Sequence, residues 1–342
     1  MRILVVILVG VYAACATAFT PLVRSTGTST ISSHWRLEPN LSTTSRYENC
    51  AFEFDGQLFF MFGRDRNPLP ISVYDPVNQS WTEYDVAPFQ AHHIQCAPDR
   101  GQVVVGGAFG QGAFPEEKPL NDVYIYRPRL KRFRLVTQMP TGRSRGSCGV
   151  GVYGRKWYFA GGSLLGHGQG LNYTTSFFDE FDPETSTWTI MPDLPHPRDH
   201  GGVVIYETRL FFLGGQIGGA PDFWSRPVKA IDVFDFSSWQ WSTIGQSRFA
   251  HGGISPAMWG NIICFGGGEY GNLSRRSTEF VDASSLHLLP AVKYMANTGG
   301  RHGFQMVAWN GSFYAGAGAV GQLIGRDIKL NNIERLEWNS AS

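Results

Sequence analysis

The chain is short of charge. Asp, Glu, Lys and Arg make up 17% of its 342 residues and balance to a net +1. Such a balance gives no global attraction to nucleic acid or to an acidic membrane, so neither is expected as a partner. Lys, Glu and Ala do not dominate, which argues against long helices. No Cys-x-x-Cys pair occurs, so the cysteines carry no zinc motif. Apolar runs are missing too, apart from "ILVVILVGVYAACA" at 3–16. That run follows Arg2, leads to "ATA" at 16–18, and is short for a bilayer crossing. It reads as a secretory signal peptide cleaved after Ala18. The expected organisation is a signal peptide at 1–18, a leader at 19–32 and one domain at 33–342. The expected location is extracellular, with no membrane span.

Glycine and aromatics are plentiful, with 41 Gly, 24 Phe and 10 Trp. Together they point to many short strands joined by tight turns. Asn-x-Ser/Thr occurs at Asn40, Asn78, Asn172, Asn272 and Asn310, more often than chance provides. These are expected glycosylation sites on an exported chain. Four cysteines remain after cleavage: Cys50, Cys96, Cys148 and Cys264.

The chain repeats itself six times. "RDHGGVVIYETRLFFLGG", a loop, and "KAIDVFDFSSWQW" compare with "RGSCGVGVYGRKWYFAGG", a loop, and "SFFDEFDPETSTW". Equivalent small residues stand at Cys50, Cys96, Cys148, Gly201, Gly253 and Gly303, at steps of 46, 52, 53, 52 and 50 residues. Double glycines follow at 106–107, 161–162, 214–215 and 266–267, and an aromatic closes most units at Trp81, Phe133, Trp188 and Trp241. One unit of four short strands cannot bury both faces alone, whereas six in a ring can.

"YDPVNQSW" at 74–81 and "FDPETSTW" at 181–188 resemble the kelch signature, and the resemblance covers essentially all of the exported chain. It implies an all-β, six-bladed kelch β-propeller with four antiparallel strands per blade, a to d from the channel outward. The last unit lacks its outer strand, and "HWRLEP" at 34–39 offers one. The N-terminal strand is therefore expected to close the last blade.

Strand direction places the d–a connections and the b–c loops on one face, around the channel mouth. The d–a connections hold Arg143 and Arg145, the trio Arg198, Asp199 and His200, then Arg248 with His251 and Arg301 with His302, while the second unit offers His92 and His93 and the first Arg46. Most of these recur from unit to unit, which favours an architectural use. The functional reading is a ring of guanidinium and imidazole groups suited to an anion. Asp199 is the member that no other unit repeats. On the b–c loops, Phe109, Phe114, Phe223, Trp224 and Arg226 are of the types found at interaction hot spots. His167 stands alone in its loop and suggests no metal. The basic run "YRPRLKRFR" at 126–134 falls on an outer hairpin and reads as a solvated edge. Cys50, Cys96 and Cys148 share a register on neighbouring inner strands, whose spacing argues for free thiols.

Some kelch propellers are enzymes. The adjacent Tyr-His of galactose oxidase is absent here, as is the Glu-x-x-x-Asp-x-x-x-His of nitrile-specifier proteins. The exported sialic-acid mutarotases are similar in size and blade number, and their chemistry needs only modest acid/base help. The leading expectation is a monomeric, secreted, non-enzymatic protein that binds a protein or acidic glycan on the b–c/d–a face, with no cofactor and no metal. The alternative is a small carbohydrate-modifying enzyme acting at the channel mouth.

Overall fold

In a computed structural model, residues 30–31, 34–110, 112, 114, 116–167, 173–219, 226–271, 273–321 and 327–339 are described. The first 29 residues, and with them the signal-peptide segment, lie outside this set, as do Asn172, Asn272, Phe223 and Trp224. Five antiparallel sheets of four strands follow one another along the chain, with inner strands at Cys50–Phe54, Ala97–Asp99, Gly149–Tyr153, Asp199–Tyr206 and Ala257–Trp259. The sixth blade is built from Phe304–Trp309, Ser312–Gly316 and Ile333–Asn339. Its outer edge is completed from the other end of the chain, where Arg36–Leu37 and Thr30–Ile31 pair antiparallel with Ile333–Asn339. Trp35 anchors this clasp. It is buried against the fifth and sixth blades, and its indole N–H donates to Thr278 Oγ1 at 3.0 Å. No helix among the described residues is long and apolar enough to cross a membrane.

The repeated sequence features each have a local cause. On the outer hairpins, the "YD-P" aspartates accept backbone N–H groups two and three residues on. Asp75 caps Val77 and Asn78, Asp182 caps Glu184 and Thr185, and Asp282 caps Ser284 and Ser285. Such Asx turns pre-set the reversal. The closing aromatics then meet the preceding strand in register, Trp81 opposite Tyr74, Phe133 opposite Tyr126, Trp188 opposite Phe181 and Trp241 opposite Phe234. The exposed basic run at 126–134 also ties one blade to the next. Arg129 pairs with Asp55 at 2.9 Å, and Lys131 donates to the Tyr84 carbonyl at 2.7 Å.

The double glycines are stitches between blades. Gly162 N–H donates to the Arg198 carbonyl at 2.8 Å, Gly215 to His251 at 2.8 Å and Gly268 to Arg301 at 2.7 Å. Gly161 and Gly214 adopt φ of 61° and 66°. A Cβ on Gly161 would lie 2.4 Å from the Arg198 carbonyl, and one on Gly214 would lie 2.6 Å from that of His251. Both the backbone conformation and the space call for glycine.

Two cysteines depart from expectation. Cys50 and Cys96 form a disulfide between the first and second inner strands, with their Cα atoms 5.4 Å apart. Of the three expected free thiols only Cys148 is one; Cys264 is free as well, and both are buried. Near the axis a propeller's inner strands converge, so this one pair comes within disulfide reach.

The channel is also plugged. Gln95 accepts from Val150 N and Val203 N and donates to the Val203 carbonyl, so it bridges the second, third and fourth blades. Gln305 does the same for Ala51 and Cys96, linking the sixth blade to the first two. Below the two glutamines the channel is lined mainly by apolar residues such as Val150, Val203, Ile205 and Met306. Above them lies the polar mouth.

Candidate functional site at the channel mouth

In five of the six blades the first residue of the blade start is a buttress; the second blade has Ala91 there. Arg46, Arg145, Arg198, His251 and Arg301 each donate to a carbonyl sixteen residues on: Phe62, Gly161, Gly214, Gly267 and Ala317. Each also reaches a polar partner on strand c: Ser72, Asp179, Asp232, Glu279 or Glu334. Arg143 and Arg248 join the same acids, Asp179 and Glu279. The guanidinium ring expected around the funnel is thus not at the mouth. Arg143, Arg145, Arg198, Arg248, His251 and Arg301 are spent on their own blades, because a buried Arg must satisfy its donors locally.

Two residues further along each blade start, the backbone is left-handed in all six blades. Glu48, His93, Ser147, His200, Gly253 and Gly303 have φ between 51° and 67°. This turn aims each side chain toward the axis. A girdle of hydrogen bonds ties these residues together: His93 N to the Glu48 carbonyl, Glu48 N to Gly303, Gly303 N to Gly253 and Gly253 N to His200. His200 N donates to Ser147 Oγ at 2.9 Å. The space inside the ring holds about one water molecule. Glycine fills two of the six positions, so the side chains gather on the side of blades one to four.

The imidazoles and carboxylates of this mouth converge. His200 Nδ1 pairs closely with the Asp199 carboxylate, and its Nε2 lies 3.3 Å from His167 Nε2. His167 Nδ1 meets Glu117 at 3.1 Å, and Glu117 pairs closely with Arg64. His93 Nδ1 contacts His92 Nδ1 at 2.6 Å, while its Nε2 faces Glu48 at 3.5 Å and Arg64 at 3.3 Å. His302 completes the rim. It bonds Ser274 Oγ at 2.8 Å and stands 3.8 Å from Glu269 and from Asp327.

Burial and proximity set the protonation states. Burial opposes a charge on His200, yet the Asp199 carboxylate lifts its pKa to about 9. Burial and the Arg64 cation push His93 well down and His92 to about 3, and burial takes His302 to about 4. Glu269, buried and close to the Glu48 carboxylate, rises to about 8 despite His200. Burial raises Glu48 and Asp327 as well. Glu117 is held low against its burial by His167 and Arg64. A carboxyl raised to about 8, a protonated imidazole and neutral imidazoles therefore share one mouth.

Of the nine expected mouth residues, Asp199, His200 and His302 are there. Six others join them: His92 and His93, which the second unit offers at the same register, and Glu48, Glu117, His167 and Glu269, which the repeat does not point to. His93 shares the register of His200, a signal readable from the repeat alignment. The approach of His167 and Glu117 depends on loops whose paths no periodicity specifies. Phe109, expected on an exposed loop, is fully buried, its ring filling the space over Gly146 and meeting His93 edge-on. Phe114 stays near the surface, over Arg64 and beside His167. The Arg226 carbonyl accepts from Ile217 N within its own b–c loop. Asn40, Asn78 and Asn310 are exposed.

Beside the imidazoles opens a cleft of about 540 Å³, lined among others by Arg64, Arg66, Gln90, His92, Phe114 and Lys329. Three cations face it against two carboxylates, Asp65 and Glu117.

No family model matches the chain. It is 29% identical over 204 residues to the Kelch-like protein terF of Aspergillus terreus, covering 58% of this chain and 43% of that one. It is 35% identical over 97 residues to Kelch domain-containing protein 8B of Rattus norvegicus, covering 26% and 27%. The chain thus spans less than half the length of either relative. The solved structure of YjhT superposes with a TM-score of 0.68 at 14% identity, over 88% of this chain and 99% of that one, and shares the fold. Six in-register repeats, six four-stranded blades and these relatives make the chain a six-bladed β-propeller similar to the kelch-repeat proteins.

Proposed function

We propose that the chain is an exported, glycosylated binding protein whose b–c/d–a face recognises an acidic glycan. The observation that carries this reading is the cleft at the mouth, where Arg64, Arg66 and Lys329 face a space of saccharide size beside Phe114. Arg64 and Lys329 already hold carboxylates, Glu117 and Asp65. Arg66 is exposed and, among the described residues, has no carboxylate within salt-bridge distance, so it is the group that meets the ligand's charge. Phe114 supplies an apolar face for a sugar ring. Titration of the purified protein with sialic acid and other acidic saccharides, alongside a glycan array, tests the proposal. Arg66→Ala should weaken binding by about tenfold. Absence of any acidic ligand on the array, or affinity that Arg66→Ala leaves intact, rejects it.

A second reading, acid/base turnover of a bound sugar as in anomerisation, is favoured by Glu269. Its carboxyl titrates at about 8 in the same mouth as the neutral His302. A proton donor poised near neutrality, with an unprotonated imidazole in the same mouth, suits such a step. If purified protein leaves the anomerisation rates of sialic acid and galactose unchanged, this reading fails.

A further inference from the structure

The mouth holds an arrangement that saccharide binding does not require. His93, His167 and His200 come from three places in the fold: the starts of blades two and four, and the b–c loop of blade three. One nitrogen from each lies within 4.8 Å of the others, and all three rings are buried. We propose that these three histidines form a binding site for a divalent late first-row transition metal, of which zinc is the type. The inference goes beyond the glycan-binding reading and stands without it.

Geometry supports the site first. Two nitrogen ligands at about 2.0–2.1 Å from a tetrahedral ion stand about 3.3–3.4 Å apart. The Nε2 atoms of His167 and His200 are separated by 3.3 Å. Two imidazole nitrogens facing each other at that distance must share a proton or a cation, since two lone pairs repel.

Each ring is also oriented from behind. His167 Nδ1 rests on Glu117, His200 Nδ1 on Asp199 and His93 Nδ1 on His92. A carboxylate or another acceptor on the distal nitrogen leaves Nε2 as the ligand atom and raises its basicity, the usual outer partner of a metal-bound histidine. Asp199 is tied in turn by Thr174 Oγ1 and by Gly218 N at 3.4 Å. That gives a role to the one carboxylate the repeat does not explain.

A fourth position is available. Glu48 Oε2 lies 3.5 Å from His93 Nε2, on the side facing the axis. Arg64, 3.3 Å from the same nitrogen, is the cation that must yield when an ion enters. Its side chain borders the open cleft, so it has room to turn outward. Three imidazoles and one carboxylate or water favour zinc, copper, nickel or iron over calcium or magnesium.

The test uses the purified, untagged full chain, stripped with a chelator and dialysed. Zn²⁺ titrated into it should bind at one equivalent per chain, and Co²⁺ should give the visible bands of a four-coordinate nitrogen site. His167→Ala should abolish the Co²⁺ bands and weaken Zn²⁺ binding by more than about 100-fold, and Asp199→Asn should weaken it by about 10–100-fold. His287→Ala, on an exposed outer strand, should change neither. Far-UV dichroism and thermal midpoints of the stripped variants establish that each is folded. The proposal is overturned if the wild type takes up no equivalent, or if folded His167→Ala and Asp199→Asn both keep the equivalent at wild-type affinity.

Discussion

Arg198 and Asp199 are neighbours in the chain yet belong to different regions of the molecule. Arg198 is one of five buttresses that reach sixteen residues on and then to strand c. Asp199 has no counterpart and points into the mouth, where it holds His200. The repeated contact carries the fold, and the unrepeated one carries whatever is particular to this chain. Gly146 and Gly252 stand where Asp199 does in their blades, and there the Phe109 ring and the Gln216 side chain take the space a side chain would need. The comparison shows how a six-fold frame produces a one-sided site. A few positions of one register change chemistry while the hydrogen bonds that position them stay the same.

Breaking a buttress should have the largest effect. Arg198→Ala leaves Asp232 buried without its guanidinium and removes donors from the Gly214 and Ala230 carbonyls. Loss of one partner of a buried pair costs about 3–5 kcal/mol, which urea denaturation of the variant will measure. The disulfide comes next. Replacing Cys50 and Cys96 together by Ser releases a cross-link spanning 46 residues. A destabilisation of about 2–4 kcal/mol is expected, with the mouth geometry retained.

Changes at the mouth should act through pH. Glu269 has its pKa raised from the ordinary 4.5 to about 8. Between those values the folded chain holds a proton that the unfolded chain has released, so stability falls as pH rises through the window. Glu269→Gln removes that dependence. Its advantage over the wild type should be absent below pH 4.5 and reach about 1–3 kcal/mol above pH 8, read from denaturation curves across pH. The sharpest local change is expected for Asp199→Asn. With the carboxylate gone, burial dominates at His200, and its pKa in chelator-treated protein should fall from about 9, followed by NMR titration of the imidazole. An unmoved value would mean that Asp199 does not govern the mouth.

Much of this was readable from residue order. The period, the glycine pairs and the closing aromatics announced six blades, and "HWRLEP" announced the clasp, because each feature answers a local requirement of turn, crowding or stacking. The architectural use of Arg145, Arg198 and Arg301 followed from their recurrence. Phe109 was misplaced because a loop residue's burial depends on what folds over it. The disulfide was missed because register alone does not state how closely two inner strands converge at the axis.

Local chemistry thus determined from sequence that this chain forms a ring of six blades and which residues begin each one. Only the tertiary structure decided that His93, His167 and His200 meet. They are 74 and 33 residues apart in sequence. Contact between them depends on the closure of the ring, the left-handed turn that aims two of them at the axis, and the path of a variable loop that brings the third. None of these is encoded in the spacing of the residues themselves.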